Sequence, residues 1–177
     1  MYISLWRLEN DVLKELAHGQ IVFGNLGAYS PIKISIGQFY GIEVNDFAVT
    51  VAKTALWIAE SQMMKETEDV VHMSLDFLPL KSYANIVEGN ALRLDWETVI
   101  PKHQLSYIMG NPPFVGFTYM SAAQKDDIQA IFPGTKNLDY VAAWYKIAAD
   151  YIQKTRIECG FVSTTFNVIT VKRTKET

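Results

Sequence analysis

Four short runs of nearly unbroken apolar character, at residues 38–44, 85–88, 105–109 and 157–163, are separated by stretches whose apolar residues recur at helical spacing. A strand with water on one face alternates apolar and polar residues, whereas a continuous run is the pattern of a parallel strand covered on both faces. The spacing predicts a helix over 2–16, with Leu5, Leu8, Val12 and Leu16 on one stripe, and a second over 46–64 carrying Ala48, Val51, Ala52, Ala55, Ile58, Ala59 and Met63. A third opens with a capping box, Ser121 and Gln124, and turns Ile128, Ile131 and Phe132 inward. A fourth runs from Asn137 as cap to Ile152. Strands and helices alternating in this order form βαβ units, hence an α/β fold with a doubly wound, mainly parallel sheet. Segments 19–31 and 65–81 are expected to be long surface connections, and 171–177 a solvated charged tail.

Length and composition narrow the function classes. At 177 residues and 49% hydrophobic content, the chain is about one globular domain with a substantial core. Sixteen Lys and Arg against 19 Asp and Glu leave a net charge of -3, without the basic excess of a free-standing nucleic-acid binder. A DNA substrate would therefore take most of its phosphate contacts elsewhere. The single cysteine, Cys159, excludes an internal disulfide framework and sits in an apolar run, where a buried strand residue is expected rather than a nucleophile. His18, His72 and His103 show no metal-ligand spacing, so no metal is expected. With no run of 18 apolar residues and no leader-like start, the expectation is a soluble, cytoplasmic protein without a membrane partner.

Open α/β sheets bind ligands at the carboxyl ends of their strands. The first run ends at Glu43, the second at Gly89-Asn90, and the third at Gly110-Asn111-Pro112-Pro113-Phe114. Background residue usage produces the last tetrapeptide roughly once in a thousand chains of this length. Methylating an exocyclic amine requires its nitrogen lone pair, normally delocalised into the ring, to face the methyl donor. An asparagine amide oxygen and a backbone carbonyl, both accepting from the NH2 group, localise that lone pair. Pro112 and Pro113 stiffen the backbone that supplies the carbonyl, and Phe114 offers a face on which an extruded base can stack.

The tetrapeptide resembles the catalytic motif of amino methyltransferases, in the asparagine-first form of adenine-N6 enzymes rather than the serine-first form of cytosine-N4 enzymes. Gln38-Phe39-Tyr40-Gly41-Ile42-Glu43 resembles that family's second strand, Asn85 to Leu92 its third strand and turn, Leu138 to Tyr145 the helix after the catalytic loop, and Gly160 to Thr164 the next strand. The stretch 47–60, with Ala52, Leu56 and Trp57, is similar to a helix of large fused restriction–modification methylases. The likeness covers most of residues 1–165. It implies a Rossmann-like fold, S-adenosyl-L-methionine as cofactor, and a flipped adenine of DNA as substrate. It further implies that Asn111, the Pro112 carbonyl, Pro113 and Phe114 form the base pocket. Glu43 would accept from the cofactor ribose, Asn90 and Ala91 would contact its adenine, and Asn111 would border the cofactor as well.

Both ends depart from the family pattern. The strand and glycine-rich turn that cradle the cofactor's methionine part are not found, and Gly24-Asn25-Leu26-Gly27 follows a helix instead of preceding one. The missing strand belongs mid-sheet, between those ending at Glu43 and Met109, so unpaired edges and self-association or marginal stability are expected. After Ser163-Thr164 the family's continuation toward a DNA-recognition region is not found either. The expectation is a partial catalytic domain over 1–177, truncated at both ends and inactive by itself. Two other readings remain: a methyltransferase for protein glutamine or RNA guanine, whose relatives favour tyrosine at the position of Phe114, and a non-catalytic remnant or subunit of a restriction–modification system.

Overall fold

The structure, a computed structural model, describes residues 1–18, 32–71, 85–135 and 137–162. Its elements run α1 (Tyr2–His18), β1 (Tyr40–Glu43), α2 (Asp46–Val71), β2 (Asn85–Glu88), β3 (Tyr107–Gly110), α3 (Ala122–Ile131), α4 (Val141–Ile152) and β4 (Glu158–Phe161), with short 3-10 turns between. They fall into two compact units, Met1–Gly89 and Asn90–Thr177.

In the first unit α1 packs on α2, and β1 pairs with β2 in parallel from Tyr40↔Asn85 to Glu43↔Glu88. Tyr2, Trp6, Ile36, Ala59 and Met63 form the core, with Tyr2 set edge-on to both Trp6 and Phe39. The buried face of α1 is therefore Tyr2, Trp6, Asn10 and Leu13, and the Leu5, Leu8, Val12 stripe faces outward. Aromatic area decides between the two faces: two large rings on one side of a helix outweigh aliphatic residues on the other. The Trp6 indole N–H donates to the Thr67 hydroxyl at 2.9 Å, and that hydroxyl lies 2.8 Å from Asn10 Oδ1, so the buried polar groups satisfy one another. Those contacts, with the paired Arg7–Glu66 hydrogen bonds of 3.1 and 2.8 Å, carry α2 through Val71. Residues 65–71 are thus helix and not the start of a surface connection; their charges lie on its outer side.

In the second unit β3 pairs with β4 in parallel, from Tyr107↔Glu158 to Gly110↔Phe161. Trp144 and Tyr145 of α4 meet the Phe161 ring edge-on, and α3 packs on α4 around Leu92, Met120, Ile128, Tyr140 and Ala143. Burial alternates along β3: Ile108 and Gly110 are half-buried, while Tyr107 and Met109 are exposed. The expected cover on both faces is not found, because α4 lies on one face of this ribbon and leaves Tyr107 and Met109 to solvent.

The capping box of α3 forms as expected, the Ser121 hydroxyl accepting from the Gln124 N–H at 3.3 Å. Asn137 does not cap α4. It takes a left-handed conformation (φ 65°), which asparagine tolerates, and the helix begins at Val141. The α/β class and its parallel pairing are as expected; among the described residues each unit holds one two-stranded parallel ribbon. No strand among the described residues is hydrogen-bonded to both ribbons. Segment 19–31 and the tail lie outside the described residues, as does 72–81.

Candidate catalytic loop and cofactor turn

The β3–β4 ladder closes where the Val162 N–H donates to the Gly110 carbonyl at 2.9 Å. At Gly110 an added Cβ would sit 3.1 Å from two carbons of the Phe161 ring, so a larger residue there would require that ring to shift by a few tenths of an ångström. The chain then leaves the sheet at Asn111, and the two prolines have no N–H with which to continue a ladder. Pro112 is buried, Pro113 and Asn111 are exposed, and Phe114 is 46% exposed. Neither the Asn111 amide nor the Pro112 carbonyl has a hydrogen-bond partner among the described residues. Downstream, the Tyr140 N–H donates to the Val115 carbonyl at 2.9 Å and the Tyr119 N–H to the Gly116 carbonyl at 2.9 Å. The loop is thus pinned on both sides while its acceptors and its ring stay open.

The Asn90 turn is equally determined. Asn90 Oδ1 accepts from the Leu92 N–H at 2.9 Å, an Asx-type turn, and Asn90 Nδ2 donates to Asp127 Oδ2 at 3.1 Å. The same amide also interacts with the Tyr140 hydroxyl, so Asn90, Asp127 and Tyr140 form one cluster. Ala91 is buried, and its carbonyl accepts from the Trp96 indole at 2.8 Å. Asp127, on α3 and only 4% exposed, also takes the Arg93 guanidinium and the Tyr140 hydroxyl, the latter at 2.7 Å. Burial alone would raise the Asp127 carboxyl, but the donors from Tyr140, Arg93 and Asn90 outweigh it and hold the group below the usual carboxylate range. The Tyr140 phenol is pushed up to about 12, by burial first and then by its bond to Asp127. It therefore stays a neutral donor.

Glu43 lies in the other unit, at the end of β1. It is half-buried; Oε1 accepts from the Asn45 N–H at 3.1 Å, and Asn45 in turn caps α2 through Ala48. Its second carboxylate oxygen has no partner among the described residues.

Within the second unit, then, Asn90 and the Asn111–Phe114 loop join one network through Asp127 and Tyr140. Sequence reasoning passed over Asp127 and Arg93. The available signal was Asp127 itself, an acid on the same α3 stripe as Ile128 and Ile131. Cys159 is half-buried and its thiol is pushed up by burial, which disfavours the thiolate. Among the described residues no group of His, Cys, Asp or Glu is placed to hold a metal, and no helix is long and apolar enough to cross a membrane.

The parallel strand pairing and the Asn-Pro-Pro-Phe loop at a strand end agree with the class that the family comparison gives, a methyltransferase domain. The chain belongs to the family described as "MmeI, DNA-methyltransferase domain", which it matches over residues 1–171. It is 39% identical over 169 residues to DNA methyltransferase A of Bacillus subtilis (strain 168), across 92% of this chain and 19% of that protein. The solved structure of the Type IIL restriction-modification enzyme MmeI in complex with DNA superposes with a TM-score of 0.81 at 39% identity, covering 90% of this chain and 22% of that one. The chain spans about a fifth of the length of these relatives.

Proposed function

We propose that the second unit carries the base pocket, and that Asn90 there and Glu43 in the first unit are each cofactor contacts, of an S-adenosyl-L-methionine-dependent DNA adenine-N6 methyltransferase from a restriction–modification system, in a Rossmann-like catalytic domain. The observation that carries the reading is the exposed Asn111 amide, without a hydrogen-bond partner among the described residues, beside a half-exposed Phe114 on a loop anchored at Gly110 and Val115. Asn111 Oδ1 and the Pro112 carbonyl would accept from the target amine, turning its lone pair toward the donor, and Phe114 would stack the flipped base. The donor set suits the cofactor nucleoside. Glu43 has one oxygen without a partner among the described residues, open to a ribose hydroxyl, and Asn90 and Ala91 would border the adenine. When bound, the cofactor supplies an activated methyl on sulfur, so no general base is required of the protein. DNA as partner is supported by the MmeI complex. Self-association through ribbon edges is a further proposal, supported by the two-stranded form of both sheets; a monomer by light scattering would end it.

The test is calorimetric titration with S-adenosylhomocysteine of this chain and of a Glu43→Ala, Asn90→Ala double variant. Affinity that the double variant loses by at least about tenfold supports the pocket, on the scale of lost hydrogen bonds to a charged group. Equal affinities overturn the cofactor assignment. With a preceding strand and glycine-rich turn supplied as an N-terminal extension, nucleoside analysis of duplex DNA after incubation with the methyl donor should give N6-methyladenine, and N4-methylcytosine would overturn the choice of base.

A further inference from the structure

We infer that Asp127 is a positioning residue for this site, one buried carboxylate that holds the Asn90 amide and, through Tyr140, the peptide after Phe114 in a fixed relation. The inference rests on the roles just proposed for Asn90 and the 111–114 loop. A buried acid is weak evidence for stability, since a well-packed apolar residue often serves a helix equally well. What distinguishes Asp127 is where its three donors come from. Asn90 Nδ2 and the Arg93 guanidinium belong to the turn after β2, and the Tyr140 hydroxyl belongs to the residue that leads into α4. Tyr140 then uses its backbone N–H on the Val115 carbonyl, one residue beyond Phe114.

Geometry also settles how Asn90 is presented. With Oδ1 taken by the Leu92 N–H and Nδ2 held by Asp127 and the Tyr140 hydroxyl, the amide is fixed in one orientation. Without the carboxylate, Asn90, Arg93 and Tyr140 lose a shared acceptor together. The cofactor turn and the substrate loop would then be free to move apart.

The experiment compares the chain with Asp127→Asn, which keeps the volume and removes the charge, in wild-type and Asn90→Ala backgrounds. One readout needs no ligand: the Asn90 side-chain amide and the Asn111 and Val115 backbone amides, followed by 15N NMR. Asp127→Asn should shift all three and speed exchange of the Asn90 amide at least about tenfold, as expected for a lost charge-assisted hydrogen bond. The second readout is affinity for S-adenosylhomocysteine. Asp127→Asn should weaken it about tenfold in the wild-type background and no further in the Asn90→Ala background, while the melting temperature falls in both. A merely structural Asp127 would give additive affinity losses, and that result overturns the inference, as do unmoved Asn90 and Val115 signals. If the parent chain does not bind the ligand, the proposed function fails by itself and the NMR signals still decide for or against the coupling. Should Asp127→Asn not fold, Tyr140→Phe, which removes only the hydroxyl, must produce the same pattern at smaller size.

Discussion

At the scale of single residues, the charge state of Asp127 links stability to pH. Its folded value lies below the unfolded one of about 3.9, so its contribution is complete above that value and is lost as pH falls through the folded value. The melting-temperature gap between the chain and Asp127→Asn should therefore be constant above about pH 5 and close below about pH 4. Tyr140 works in the opposite range. A phenol raised by burial favours the protonated folded form, so stability should decline from about pH 10 upward, and the similarly raised Tyr151 adds to the decline. Alkaline melts of the chain and of Tyr140→Phe measure the Tyr140 part. In the first unit, Thr67→Val removes the partner of the Trp6 indole and of Asn10 together. It should cost about 1–3 kcal/mol by denaturant unfolding, since both groups remain buried.

At the scale of elements, Ser121→Ala should destabilise by about 1 kcal/mol in thermal or urea melts, because it removes one half of a formed capping box at the start of α3. That box was legible because its partners lie three residues apart. So were β2, whose apolar run coincides with Asn85–Glu88, and the open amide of Asn111, which two prolines isolate from the ladder. The buried side of α1 was not legible. Its aliphatic stripe and its aromatic stripe both satisfy helical spacing, and the partners that favour the aromatic one, Thr67 among them, lie up to 61 residues away. The end of α2 was hidden for the same reason, since its charged last turns are held by Trp6 and Arg7 from the other helix. Asp127 escaped notice because its partners stand 13, 34 and 37 residues away, and an acid on an inward stripe does not by itself announce the two segments it holds.

At the scale of the whole molecule, a net charge of -3 limits what this chain can do to DNA unaided. Each phosphate neutralised contributes nearly one unit to the slope of log affinity against log salt. Duplex binding by this chain alone should show a slope shallower than about -2 in fluorescence anisotropy, so that sequence choice by the longer relatives would draw on charge outside this region. A steep slope would mean that the basic residues present are gathered on one surface. Both ribbons have only two strands of four residues each, and such ribbons are marginal alone. Their persistence depends on the helices packed against them, α2 in one unit and α4 in the other.

The 3.1 Å approach of position 110 to the Phe161 ring also constrains the order in which a lineage can change. Gly110→Ala made first should destabilise by about 1–3 kcal/mol and disturb the residue immediately before Asn111. Made after Phe161→Leu, which vacates the space, the same change should be nearly silent in a melt. Position 110 is thus contingent on position 161, and divergence at the threshold of the 111–114 loop is easier when it begins on the neighbouring strand.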